Sequence, residues 1–252
     1  MAGSLESWPA SDVQGKIALV YGGEGDEGLK LAREFVVRGC RVVLIESTLP
    51  ESSRPLPGQT VADPLPHFVA FPCSGVDGNE AAVLDSVRRI ELDVTAGEEV
   101  YSRVVEQSWA VFGRIDILIN CNSVPATLKP FLDTTEKDYD RIMDINVKSS
   151  WKLSKAVARK MREAEKGKYG IRVNAVSAGL TTSNDLFQAK SEESVQELAR
   201  QVVPLQRWSN FPEDIMGIVL WLASDLSIFV TGTISVVDGG QSLSRPRLSS
   251  FL

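Results

Sequence analysis

Only one histidine, His67, and three widely spaced cysteines, Cys40, Cys73 and Cys121, occur in this 252-residue sequence. None of them has the Cys-x-x-Cys spacing of a structural zinc site. The odd number of thiols reads as reduced cysteine in a cytosolic protein rather than a disulfide framework. A histidine-based catalytic triad would have to use His67, which lies in a proline-rich stretch. No apolar run approaches the roughly 18 residues of a membrane span. Basic residues are in deficit, 27 against 33 acidic ones, and the net charge of -6 argues against nucleic acid as the main partner. Residues 1–12 lack arginine and an apolar core, so they do not read as a secretory signal or transit peptide. The last three residues, Ser250-Phe251-Leu252, do not match the Ser-Lys-Leu peroxisomal address, and the expected location is the cytoplasm. What remains is an ordinary globular composition, 43% hydrophobic and 24% charged, sized for one large α/β domain.

The most informative stretch runs from Ile17 to Glu46. Ile17-Ala-Leu-Val-Tyr21 is an apolar run fit for a buried strand, and a turn with four glycines follows, Gly22, Gly23, Gly25 and Gly28. Leu29, Ala32, Phe35 and Val36 then recur at helical spacing, Gly39 supplies a stop, and Arg41–Glu46 reads as a second strand ending in a carboxylate. Strand, Gly-x-Gly-x-x-Gly turn (Gly23, Gly25, Gly28), helix, strand and acid make up a dinucleotide-binding unit. Glycines let the backbone approach a pyrophosphate, the helix N-terminus faces its charge, and Glu46 is placed for the adenosine ribose hydroxyls. A glycine-rich turn that merely packs a helix on a strand is the alternative. Glu24, Asp26 and Glu27 favour it, since carboxylates repel phosphate and stabilise a helix N-terminus without a ligand.

After Glu46 the pattern breaks. Residues 50–72 hold six of the twelve prolines, and a disordered insertion is expected over about 48–80. A short helix is expected over 81–89 and a third strand over 90–94. Thr95 with Glu98 reads as a capping box for a helix running to about Phe112. Further strands are expected at 115–119, 171–176 and 233–237. Helices are expected at 139–147 and 151–161, joined or separate, and at 192–202 and 212–223, with a turn at 166–170. Alternating strands and helices imply a doubly wound, mostly parallel Rossmann-like sheet. Ligands in such sheets bind beyond the carboxyl ends of the strands.

Taken together, these strand ends resemble the short-chain dehydrogenase/reductase family, in the subgroup similar to 3-oxoacyl carrier-protein reductases. Leu19–Gly28 resembles the family's Thr-Gly-x-x-x-Gly-x-Gly turn, and Asp93-Val94 its adenine-contacting pair. Asp116–Ser123 is similar to Asp-Ile-Leu-Val-Asn-Asn-Ala-Gly, with Asn120 in register. Asn146 matches the active-site asparagine. Tyr169–Gly179 resembles Tyr-Gly-Ile-Arg-Val-Asn-x-Val-x-Pro-Gly, and Val236–Gly240 matches the family's ending. The resemblance implies a nicotinamide dinucleotide held by Gly22, Gly23, Gly25, Gly28, Glu46, Asp93, Val94, Asn120, Ser177, Gly179, Thr181 and Ser183. It also implies a small carbonyl or secondary alcohol substrate. Glu46 would repel a 2′-phosphate, so NAD(H) is favoured over NADP(H).

Departures accompany the matches. Tyr21 stands for the threonine, Asp26 for the central glycine, Asn122 and Ser123 for alanine and glycine, and Ala178 for proline. The family's chemistry also requires a Tyr-x-x-x-Lys. Residues four beyond Tyr21, Tyr101, Tyr139 and Tyr169 are Gly25, Val105, Met143 and Val173, so the motif does not occur. The interval from Asn146 to Gly179 lacks room for the strand and helix that carry it, about one βαβ step. The sheet is therefore expected to be one strand and one helix short, catalysis impaired, and homo-oligomerisation doubtful because the family pairs subunits partly through the lost helix. Ser154 and Lys155 adjoin each other on a helix and do not face one another. Together with Lys148 and Lys152 they read as solvated surface. Three functions stand open: an oxidoreductase with weakened catalysis, a non-catalytic nucleotide-binding or regulatory protein, and a truncated splice form.

Overall fold

The computed structural model describes residues 12–23, 25–48, 86–124, 130–164, 170–181 and 191–244. The proline-rich insertion, Ser183 and most of the 166–170 turn lie outside them. The chain divides into two compact units, Val13–Ile171 and a second made chiefly of Arg172–Leu252. Among the described residues, six parallel strands are paired, four in the first unit and two in the second. No helix among the described residues is long and apolar enough to cross a membrane.

In the first unit, β1 (Ile17–Tyr21) is buried along its whole length. It lies between β2 (Arg41–Thr48) and β4 (Ile117–Asn120), and β3 (Val87–Asp93) is added outside β2. The order β3-β2-β1-β4 reverses direction at β1, and this places a crevice beyond its carboxyl end. Between β1 and β2 runs α1 (Asp26–Val37), which buries Gly28, Leu31, Ala32 and Phe35. Gly39 ends it at φ +79°, its N–H bonded to the Val36 carbonyl, as the glycine stop predicts.

The other face of the sheet is covered by α2 (Glu98–Phe112) and α4 (Ser150–Ala164). Tyr101, Val104 and Val105 of α2 and Leu153, Ala156 and Val157 of α4 share one core with Leu19, Tyr21, Val43 and Ile45. Burying each such aliphatic side chain contributes about 1.5–3 kcal/mol. Helix α3 (Glu136–Met143) leads without a break through a π-turn, Asp144–Ser149, into α4, so the two expected helices are joined.

Three expectations need correction. Val87-Arg88-Arg89 belong to β3 rather than a helix. These charged residues are tolerated because β3 is an edge strand. Thr95 does not cap α2: its N–H and hydroxyl both bond to Asp93 Oδ1, at 2.8 and 2.7 Å, and Gly97 is the N-cap. Lys152 is not merely solvated, since its ammonium donates to the Ala96 carbonyl at 2.7 Å and lies 5.3 Å from the Tyr101 ring centre.

The second unit pairs β5 (Ala175–Ala178) with β6 (Ile234–Val237) and carries α5 (Glu192–Val202) and α6 (Glu213–Ala223). β5 starts four residues later than expected, because 171–174 are tied mainly by side chains. The Asn174 amide donates to the Val230 carbonyl, and its oxygen accepts the N–H and hydroxyl of Thr233. Arg172 donates to the carbonyls of Leu222 and Ser224 and closes the end of α6.

Candidate functional site

The glycine turn sits at the crevice beyond β1. Gly22, at φ +89°, and Gly23 both donate their N–H to the Ile45 carbonyl at 3.1 Å, which ties the turn to β2. A Cβ on Gly22 would lie 2.7 Å from the Asn122 nitrogen, and one on Gly28 would lie 2.2 Å from the Gly22 carbonyl oxygen. Packing alone therefore demands glycine at both positions. Gly25 differs: it is exposed at φ -81°, and a Cβ there would meet the Gly22 carbonyl oxygen at 3.4 Å, an ordinary contact. It is the N-cap of α1, and as glycine it has no side chain to cap that terminus. The first-turn N–H groups of a helix so placed form an anion-binding position.

Two acids stand in that first turn. Asp26 pairs with Lys30 at 2.7 Å. The Glu27 carboxyl is pushed above the ordinary carboxylate range by desolvation first and the neighbouring Asp26 charge second, with Lys30 opposing. The turn thus carries a fold suited to phosphate and a local charge that resists it.

Glu46 lies near the end of β2, where the spacing predicts it, but it already has a partner: Arg89 Nη1 on β3 is 2.5 Å from its Oε1. Asp93 turns back on Thr95, and Val94 is buried with its carbonyl accepting the Tyr101 hydroxyl at 2.9 Å. Asn120 ends β4 and accepts the Asn122 N–H. The buried Asn122 side chain crosses the strand ends, accepting the Ser47 hydroxyl of β2 at 2.7 Å and donating to Ser149 at 3.4 Å. Asn146 exchanges two bonds with Val124: its amide donates to the carbonyl at 2.9 Å and its oxygen accepts the N–H at 2.8 Å. Its amide clamps the loop after β4.

Burial, reinforced by Tyr21, drives the Tyr101 hydroxyl far above its ordinary pKa, and Tyr139 is exposed. Lys148 is paired with Asp144, and Lys155 with Glu98.

In the second unit, Ser177 is exposed on β5 and pairs in register with Val236. Gly179 follows with its N–H on the Val237 carbonyl, and a Cβ there would lie 2.8 Å from Asp238 Cα. Thr181 forms a parallel bridge with Ser209. Hydrogen bonds from Ser242, with Gly240 adding to them, hold the Asp238 carboxyl below its usual range. Gly22, Gly23, Gly25, Gly28, Glu46 and Asn120 thus gather at the strand ends of the first unit. Ser177, Gly179 and Thr181 belong to the second. The partners of Arg89 and Asn122 were not visible in the sequence: they are 43 and 75 residues away, and no local spacing signals such pairs.

Comparison with known proteins supplies context. Residues 78–179 match the family described as short chain dehydrogenase, and residues 164–242 match that described as enoyl-(acyl carrier protein) reductase. The (-)-isopiperitenol/(-)-carveol dehydrogenase of Mentha piperita is 28% identical over 269 aligned positions, covering 90% of this chain and 93% of that one. The alignment is longer than this chain's 252 residues, so the relative carries residues with no counterpart here. The 2-dehydro-3-deoxy-D-gluconate 5-dehydrogenase of Dickeya dadantii is 24% identical, covering 91% and 96%. Among solved structures, carveol dehydrogenase from Mycobacterium avium in complex with NAD has a TM-score of 0.73 at 20% identity, covering 92% of this chain and 99% of that one.

Proposed function

We propose that this chain, which belongs to the short-chain dehydrogenase/reductase family, binds a nicotinamide dinucleotide at the crevice of its first unit and has strongly impaired hydride-transfer chemistry. The observation that carries the binding half is Gly25. The fold accounts for glycine at 22 and 28, but leaves room for a side chain at 25, where close approach of a pyrophosphate excludes one. Gly25 and the N–H groups opening α1 would hold the pyrophosphate, Glu46 the ribose hydroxyls, and Asp93-Val94 the adenine edge. Ser177, Gly179 and Thr181 of the second unit are proposed as ligand contacts on the family resemblance alone, and Ser183 lies outside the described residues. Glu46 favours NAD(H) over NADP(H).

When bound, the cofactor would supply the hydride acceptor or donor for a small carbonyl or secondary alcohol. The described residues supply little else. Protonating the substrate oxygen needs a group tuned near neutral pH. No Tyr-x-x-x-Lys occurs in the sequence, the Tyr101 hydroxyl is held far above its ordinary pKa, and the Asn146 side chain is engaged with Val124. Ser177 can hydrogen-bond a ligand but is not a proton donor near neutral pH. The reading that follows is a cytosolic protein that keeps its nucleotide site for binding or regulation.

The test combines calorimetric titration with NADH and a turnover panel of ketones and alcohols on the purified chain. Binding without turnover is expected. Turnover at rates typical of enzymes would overturn the loss of chemistry, and absence of binding would overturn the nucleotide site.

A further inference from the structure

The register of β2 and β3 sets Glu46 directly opposite Glu91, two carboxylates on one face of adjacent strands. Like charges so placed repel. Arg89, two residues earlier on β3 and therefore on the same face, relieves this: its Nη1 lies 2.5 Å from Glu46 Oε1. Both side chains are partly shielded, Arg89 at 29% and Glu46 at 21% exposure, and the guanidinium keeps enough exposure to meet a ligand. An acid in this position recognises a 2′-hydroxyl, and an arginine in its neighbourhood accommodates a 2′-phosphate. Here the two occur in contact.

We propose that Arg89 is the specificity-determining residue of the nucleotide site, and that through it the chain accepts NADPH nearly as well as NADH; this rests on the dinucleotide reading above. With a 2′-hydroxyl, Glu46 accepts the hydrogen bond and keeps Arg89 as its partner. With a 2′-phosphate, the guanidinium turns from the carboxylate to the phosphate, whose geometry its planar fork matches. It offsets the repulsion that Glu46 alone would exert. Glu46 leaves a preference for NADH, and Arg89 makes that preference small.

Calorimetric titration of the full chain with NADH and with NADPH tests this on the wild type, Arg89→Ala, Arg89→Lys and Glu46→Gln. The wild type should separate the two cofactors by less than about tenfold. Arg89→Ala should widen the ratio by at least about thirtyfold, almost wholly through weaker NADPH binding. Arg89→Lys, which keeps charge without the fork, should fall between and carries the test if the alanine variant does not fold. Glu46→Gln should shift the ratio toward NADPH. A ratio unchanged in the Arg89 variants, with NADH binding intact, would overturn the role of Arg89 alone. No binding of either cofactor to the wild type would overturn the dinucleotide reading itself.

Discussion

Gly25→Ser and Gly28→Ala separate what the glycine turn does for the fold from what it does for a ligand. At Gly28 the added carbon would sit 2.2 Å from the Gly22 carbonyl oxygen, where C···O contacts need about 3.3 Å or more. The first turn of α1 must then move outward by about 1 Å. Overpacking of this kind costs about 1–3 kcal/mol, and the helix preference of alanine over glycine returns up to about 1 kcal/mol. At the middle of these ranges the net loss is about 1–2 kcal/mol, which lowers Tm by about 2–8 °C in a domain of this size. At Gly25 the carbon meets nothing nearer than 3.4 Å, and the position is a helix N-cap, which serine fills slightly better than glycine. Gly25→Ser should therefore melt within a degree or two of the wild type, while its side chain weakens NADH binding tenfold or more. Differential scanning calorimetry gives the first number and isothermal titration the second. Gly25→Ser binding NADH as tightly as the wild type would refute the ligand role of Gly25. A neutral Gly28→Ala would refute the packing argument.

Asp26→Asn should tighten NADH binding several-fold by removing a carboxylate from the first turn of α1. Its cost in stability should be about 0.5–1 kcal/mol, from the helix dipole and the pairing with Lys30; titration and urea unfolding check the two halves. Cys40 is buried, and desolvation raises its thiol pKa to about 11. The unfolded thiol ionises near 9, so the native state loses about 2–3 kcal/mol as pH climbs from 9 to 11 and loses nothing from this source below 9. The stability gap between the wild type and Cys40→Ala in urea should narrow over that window. Asn122→Ala takes the acceptor from Ser47 and the donor from Ser149, and urea unfolding should show a loss of about 1–3 kcal/mol.

How much of this was legible in the sequence depends on the range of the interactions. The β1–turn–α1 unit was, because a buried strand, four glycines and a helical repeat are local signals, and Gly39 stops the helix where it should. The 139–161 region was legible as helix, though spacing alone did not show that a π-turn joins its two halves. The start of β3 was not legible. Arg88 and Arg89 look like helix surface until the edge position of the strand and the Glu46 partner, 43 residues away, are known. Thr95 looked like a cap because the motif is a spacing rule, and Asp93, two residues earlier, won the hydroxyl. The pairing of β5 with β6, about 60 residues apart, was also hidden. A strand's pattern reports that its faces are buried and does not name its neighbour.

The most direct measurement is the thermal unfolding of the purified chain alone, with millimolar NADH and with millimolar NADPH. A ligand at 100 times its Kd adds about 2.7 kcal/mol to the state that binds it. A clear rise in the melting midpoint with NADH, and a comparable rise with NADPH, is the predicted result. A cooperative melt that neither nucleotide moves would contradict the account, and the glycine turn would then be a packing device alone.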